Sequence, residues 1–528
     1  KLILFKMMNI KIVFLLISLS FLNIILTKPP VEISCRKKEP IHNEDLCKKR
    51  PYQYAAEAFY FVPVNRAKLF DVGDTYSFES RCFKENIVIL KEMSIDSITL
   101  TLLNKNKTET FCSELFIFHT TNKNFLQFVT FAGEHEIVLK RLSRDDKDEI
   151  KVNGVKLLSF CNGLFTTLKS LYNTLKLFYG GLGNDPKAKN PRFRPNILKD
   201  QERANLRYME LYLHYTPERR KNDTIVYFDK NKIHTGDLIM IERFDGLDPM
   251  IMMGAGGHAG HSCVCAWIDD ELYVLESQAA WYWPKENIQR TKWEDWLEYA
   301  HAADYNAILL PLREEYRQKL NAEKANNWFM NVVEGLPYGY HNFVFSWIDT
   351  PDKNFPFITD SDFEDLVFSL LSKVYSPLSD LLITEALNIR LGTTGLTFQQ
   401  AVAEFARRGK SLSEVMAEPE IDGIEYHDGL SYVCSAFVAA YWKNGGLFDD
   451  MIINPNEFTP KDLYQLDIFD KNYERPQECI DDNPDLPYCQ LMGKFVFTLD
   501  NYSTIKPYSN MNERCPSLAP DFIRPDGC

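Results

Sequence analysis

This chain has no surplus of positive charge. Against 60 lysines and arginines stand 73 aspartates and glutamates, a formal net charge of −13 over 528 residues. Binding to nucleic acid draws on cationic contacts with phosphate, so a general nucleic-acid binder is excluded as a reading. Glycine and proline are also modest, at 24 and 26 residues. With 45% hydrophobic and 13% aromatic residues, that composition excludes a collagen-like or broadly disordered chain and fits two or three folded domains. Beyond Leu26, no apolar run reaches the ~20 residues that a membrane span needs.

What the chain does hold is unevenly placed. Ile10 to Leu26 is almost wholly apolar, preceded by Lys6 and followed by Lys28-Pro29-Pro30. Residues 1–27 read as a signal peptide, initiated at Met7 or Met8, because the run is short for a span. There are 12 cysteines, with Cys35 and Cys47 early and Cys479, Cys489, Cys515 and Cys528 late. Cysteine-rich ends point to disulfides and an oxidising compartment, so a secreted or endolysosomal location is expected. Sequons at Asn106, Asn222 and Asn501 point the same way.

Taken in order, the expected fold class is α+β. Residues 28–178 form a β-rich accessory domain, a small sandwich or barrel. Its strand candidates are Ala58–Val62, Ile87–Leu90, Ser97–Leu102 and Phe116–Phe118. In Ser97–Leu102, Thr99 and Thr101 alternate with Ile98, Leu100 and Leu102, the period of a half-buried strand. A helix is expected over 162–178, a glycine- and proline-rich linker over 179–200, and a further helix over 200–218. A second domain follows at 201–450. Its strand candidates are Ile225–Phe228, Thr235–Ile241, the run from His261, the run from Leu272 and Ala307–Leu312. Helices are expected at Trp293–Ala302 and 314–333, with a helical insertion at about 360–415. Residues 451–528 form a cysteine-rich extension.

The chemistry concentrates in three places. His261 opens an apolar run after a glycine-rich turn. Glu276 and Gln278 lie on the next run, across the turn Asp269-Asp270. Cys434 opens an apolar run, Ser435 to Lys443, that reads as a central buried helix ended by Gly445-Gly446. A helix N-terminus favours a thiolate, and Ser431 is positioned as its cap. On a two-residue hairpin, Gln278 falls opposite His261 and Glu276 lies diagonally nearby, so either can orient the imidazole. His258 is the rival base. His258, His261, Cys263 and Cys265 raise a metal reading, but one strand cannot wrap four ligands tetrahedrally, so no metal or other cofactor is expected.

These residues carry a resemblance. A Gly-Asp turn (Thr235–Ile239) precedes His261, Glu276, an aromatic Pro-Tyr-Gly-Tyr segment (Pro337–Tyr340) and Tyr432-Val433-Cys434-Ser435 opening a helix. That order resembles the circularly permuted branch of the NlpC-type papain-like superfamily, which places the histidine before the cysteine. The branch includes YiiX/YaeF-like proteins and lecithin:retinol acyltransferase-like enzymes. The match spans about residues 225–446, interrupted by the helical insertion. The resemblance implies an antiparallel sheet packed on a central helix, a nucleophile at Cys434, a base at His261 and a third polar member at Glu276. Tyr338, Tyr340 and Asn342 would line the cleft, with Tyr432 beside the nucleophile. The Ser262-Cys263 pair after the histidine departs from the family's usual β-branched or glycine pair. The expected function is a thiol hydrolase cleaving an amide or peptide bond, with a peptide or acyl-amide substrate and no nucleic acid. The alternatives are an acyltransferase working on lipid acyl groups, the one case in which membrane contact is expected, and a non-catalytic secreted glycoprotein.

Overall fold

Burial alternates along two long strands, β3 (Phe83–Met93) and β4 (Ser97–Lys107), where Val88, Leu90, Ile98, Leu100 and Leu102 turn inward. They belong to the first of two units into which the chain divides, Lys1–Leu175 with Pro351–Glu418. The second is Lys176–Thr350 with Pro419–Cys528. The computed structural model describes residues 57–178, 199–279, 285–342, 361–416, 423–509 and 511. The expected signal peptide, most of the linker, the Trp281–Trp283 aromatic cluster and the chain after Met511 lie outside the described residues.

The first unit adds β1 (Val64–Leu69), β2 (Thr75–Phe78), β5 (Glu114–His119), β6 (Asn124–Val129), β7 (Gly133–Lys140) and β8 (Val155–Ser159). They form two antiparallel sheets, ordered β1-β8-β5-β6 and β2-β3-β4-β7. Leu69, Phe116, Phe118 and Leu157 from one sheet share a core with Val88, Leu90, Leu100 and Ile137 from the other. The two expectations for this region therefore resolve to a sandwich, because the sheets stay separate and bury one face each. A disulfide joins Cys82 to Cys112, and Cys161 is also disulfide-bonded. The strand expected at Ala58–Val62 does not form. The backbone turns there, with Phe59 at φ 65°, a conformation incompatible with an extended strand.

The segment expected to be helical near 360–415 is helical and groups with this first unit. The Phe398–Arg407 helix buries Phe398, Ala401, Val402 and Phe405, one face at 3.6 spacing, and starts on a Thr397/Gln400 capping box. A buried charge network anchors the Ser361–Val374 helix. Lys156 Nζ lies 2.6 Å from Asp365 and 3.3 Å from Asp362, and His119 Nε2 lies 3.1 Å from Asp365.

In the second unit, β9 (Leu238–Glu242), β10 (His261–Ile268), β11 (Glu271–Ser277), β12 (Ile288–Lys292), β13 (Asn306–Leu310) and β16 (Cys489–Met492) form one antiparallel sheet. Its order is β12-β11-β10-β9-β13-β16. A two-stranded β14 (Glu425–Tyr426) and β15 (Gly429–Leu430) stands apart. Ile239, Ile241, Cys265, Val274 and Ala307 pack with Trp293, Trp296 and Leu297 of the Trp293–Ala302 helix. The Cys434–Asn444 helix packs against β10 and β11 and is buried from Cys434 through Trp442. The edge strand β16 comes from the cysteine-rich C-terminal stretch, which also carries the Cys479–Cys489 disulfide.

Three local expectations are corrected in this unit. Ile225–Phe228 forms no ladder, and Val226 makes a backbone bond to Leu491 at 2.7 Å instead. The helix expected at 314–333 is broken at Leu320. It restarts as Ala322–Trp328, where the Asn321 side chain caps Lys324 N–H, and it ends in a π turn, Phe329–Val333. The helix expected to reach 218 ends at Tyr212, two residues before His214 takes a positive φ. The three sequon asparagines are exposed. Among the described residues, no helix is long and apolar enough to cross a membrane.

Candidate active site

The site begins with a tight hairpin. Asp269 and Asp270 have φ of 50° and 60°, the two positive values that a two-residue hairpin turn demands. That turn sets the β10–β11 register from Ile268↔Glu271 to Val264↔Leu275. Carried on, the register puts Glu276 opposite Cys263 and Gln278 opposite His261. The ladder itself stops at Val264 and Leu275, while β10 continues paired to β9 and β11 to β12. Within this opening, His261 Nε2 lies 3.0 Å from Glu276 Oε2. The same oxygen accepts from Gln278 Nε2 at 2.6 Å and from the Cys263 thiol at 3.3 Å.

The imidazole has two nitrogens, and with Nε2 on Glu276 it is Nδ1 that serves the hydrogen bond between His261 and Cys434. Cys434 is the first residue of its helix. Its N-cap is Val433, and no side chain caps that end. Ser431, expected as the cap, stands two residues upstream of that position. Its carbonyl accepts instead from Asn342 Nδ2. The N-terminal amides and the helix dipole are thus left to favour an anion at the sulfur.

Electrostatics follow from this arrangement. Burial works to raise the Cys434 thiol. The His261 charge and hydrogen bond, the Ser262 amide and the Arg243 charge outweigh it, and the thiol lies below its ordinary value. Burial works to lower His261, but Cys434 and then Glu276 hold it up at about 9. Both shifts favour a thiolate–imidazolium pair. Arg243 is itself fixed by a two-pronged contact with Asp248, at 2.9 and 2.8 Å. Asp248 lies so close under the turn that a Cβ on Gly260 would meet it at 2.3 Å, so the residue before His261 must be glycine.

The aromatic segment runs beside the nucleophile. Tyr338 pairs with Tyr432 in a parallel bridge, and Gly339 N–H bonds Tyr432 O at 2.9 Å. A Cβ on Gly339 would come within 2.4 Å of the Tyr432 backbone, so only glycine passes there. Ser277 Oγ holds the same carbonyl at 2.8 Å. The Tyr338 hydroxyl accepts the Cys434 backbone N–H. Tyr340 packs edge-on to Tyr338 at 5.0 Å and hydrogen-bonds Glu286. Asn342 accepts from Tyr426 OH and reaches Asn456 Oδ1, both at 3.1 Å, so it braces the loop before Cys434.

The structure brings Cys434, His261, Glu276, Gln278 and Tyr338 together. His258 goes elsewhere: Nδ1 is 2.9 Å from Thr498 O, and the ring stacks on Tyr215 at 3.9 Å. The metal quartet read from the strand is likewise not assembled, since among the described residues neither His258 nor Cys265 brings a donor atom to the cluster around His261. Cys263 instead joins His261 and Glu276, and the donor atoms of these three lie within 4.8 Å of one another. Sequence reasoning missed Arg243 and the Ser262 amide. An arginine on the turn after β9 and a backbone N–H leave no residue pattern that points to a distant sulfur.

No protein-family model matches this chain. No curated protein sequence matches it. Among solved structures, the metalloprotein YiiX from Escherichia coli O157:H7 is similar over 32% of this chain and 92% of its own, at 16% identity and a TM-score of 0.17.

Proposed function

We propose that this protein is a thiol hydrolase that cleaves amide or peptide bonds, with Cys434 as nucleophile. The observation that carries the reading is the continuous contact from Cys434 through His261 to Glu276, three groups far apart in sequence. The motif order, histidine before cysteine, supports placement in the permuted papain-like branch. Disulfides in both units support a secreted or endolysosomal setting.

The Cys434 thiolate attacks the carbonyl carbon, and the carbonyl electron pair moves to oxygen. As the tetrahedral species collapses, the C–N bond breaks and His261 gives its Nδ1 proton to the leaving amine. A thioester remains. His261 then takes a proton from water, whose oxygen attacks the thioester and releases the acid. Glu276 keeps the ring oriented and balances its charge. The Tyr338 hydroxyl, held in place by the Cys434 N–H that it accepts, turns its own proton to the oxyanion that develops beside the sulfur.

The test is a panel of peptide, isopeptide and N-acyl amide substrates. Wild-type protein should turn over members of the panel, and Cys434→Ala should turn over none. Equal hydrolysis by both proteins would remove Cys434 from the mechanism. Recovery of acyl-amine product in preference to free acid would place the same thioester in an acyltransferase.

Two further outcomes are expected. Tyr338→Phe should lower kcat by about 10-fold to 100-fold with a small change in KM, since its hydroxyl proton helps chiefly in the transition state. The pH profiles of alkylation and hydrolysis should diverge. Thiolate forms as pH rises through the lowered Cys434 value, so iodoacetamide labelling should already be fast below the ordinary thiol range and then level off. Above about 9, His261 loses the proton that the leaving amine needs, so amide hydrolysis should fall while alkylation persists.

A further inference from the structure

We infer that His261, Cys263 and Glu276 form a binding site for a single zinc-type divalent cation, on the far side of the imidazole from Cys434. The donor set is mixed nitrogen, sulfur and oxygen, the combination that zinc accepts. All three residues are buried, at 3%, 0% and 1% exposure. This separates them from the acidic clusters common on protein surfaces.

The geometry is close to that of a metal centre. With metal–ligand lengths of ~2.0 to 2.3 Å at tetrahedral angles, ligand atoms should stand about 3.3 to 3.6 Å apart. Here His261 Nε2 to Glu276 Oε2 is 3.0 Å and Cys263 Sγ to Glu276 Oε2 is 3.3 Å, with all three donors inside 4.8 Å. The two contacts to Glu276 need to open by only a few tenths of an ångström, and the third pair is held inside the 4.8 Å limit. Charge also fits. A thiolate and a carboxylate match a dication, so no net charge is added to a buried place.

A second observation points to a ligand. Gln278 is 1% exposed, and its Oε1 is buried with no hydrogen-bond partner among the described residues. Its Nε2 already sits 2.6 Å from Glu276 Oε2. A cation on Glu276 would displace that N–H contact, and rotation of the amide would offer Oε1 as a neutral fourth donor.

Metal binding does not depend on Cys434. Its consequence does rest on the thiol-hydrolase reading: a cation on Nε2 takes the place of the Glu276 hydrogen bond and stops the ring cycling its proton. The two claims separate in a Cys434→Ala background. Cobalt(II), which reports thiolate ligation by a sulfur-to-metal charge-transfer band, should give that band, saturating at one equivalent, in Cys434→Ala. Zinc should compete it away. Adding Cys263→Ser should abolish the band, adding Cys265→Ala should leave it, and adding His261→Ala should weaken binding by more than about 100-fold. The two ligand substitutions act on different atoms, so the misfolding of one leaves the other decisive. No band in folded Cys434→Ala, or a band indifferent to both ligand substitutions, would overturn the site. Zinc inhibition of wild-type amide turnover, reversed by a chelator, tests the consequence separately.

Discussion

Replacing His261 with alanine is expected to reduce amide turnover by about 10²-fold to 10⁴-fold, the range for loss of a general acid–base group. The protein should also lose its fast, low-pH labelling of Cys434. Two effects combine. The substitution removes the acceptor and donor of the travelling proton. It also removes the positive charge that offsets burial of the sulfur, so the thiol value should climb toward that of a buried, inert cysteine. Cys263 and Cys265 provide the internal comparison, since burial holds both thiols well above the ordinary value. Labelling of native protein with iodoacetamide, mapped by mass spectrometry near pH 6, reads all three cysteines at once. The expected pattern is Cys434 alone in wild type and none in His261→Ala. Equal labelling of Cys434 in the two proteins would mean that the imidazole does not activate it. Glu276→Gln should act in the same direction but less strongly, because Gln278 and Cys263 still surround the position and an amide oxygen can still accept from Nε2.

How far this site is readable in the chain depends on how local its determinants are. A two-residue turn and a period of two are local properties. From Asp269-Asp270 alone the register follows, and with it the nearness of Glu276 and Gln278 to His261. The sandwich strands β3 and β4 are equally local, carried by alternating apolar residues. The helix after Cys434 is apolar nearly all round and could only be buried. The failures are of another kind. Ser431 has the chemistry of a cap, yet the helix that opens at Cys434 has its N-cap at Val433, and the Ser431 and Tyr432 carbonyls are taken by Asn342 and Gly339 from another segment. The run Ile225–Phe228 has β-forming residues, but among the described residues it meets its neighbour through one backbone bond, from Val226 to Leu491. Arg243 enters through a buried pair with Asp248, and nothing in its neighbours along the chain announces a role near a cysteine almost two hundred residues away.

Lys156→Met should destabilise the first unit by roughly 3–5 kcal/mol, the cost of taking one partner from a buried ionic cluster. Lys156 is 2% exposed on β8 and faces Asp365, Asp362 and the carboxyl of Glu149. Burial alone would strip its proton, but those three acidic groups outweigh burial and raise it. Without the cation, Asp365 keeps His119 at 3.1 Å, and Asp362 keeps Lys68 at 2.8 Å. The same cluster predicts a pH response. Burial, then the neighbouring charge of Asp365, pushes Glu149 up to about 8 from an ordinary 4.5. In the unfolded chain Glu149 ionises near 4.5, whereas the folded chain keeps its proton until about 8. Stability from this group is therefore complete below 4.5 and is lost as pH rises through 8. Unfolding of the full chain should show the first unit weaker at pH 8 than at pH 5 by roughly 1–3 kcal/mol, and Glu149→Gln should flatten that slope by making the uncharged form permanent. A Glu149→Gln protein with an unchanged slope would place the titration elsewhere in the unit. A Lys156→Met protein as stable as wild type would mean that the helices of 361–416 are held to the sandwich by apolar packing alone.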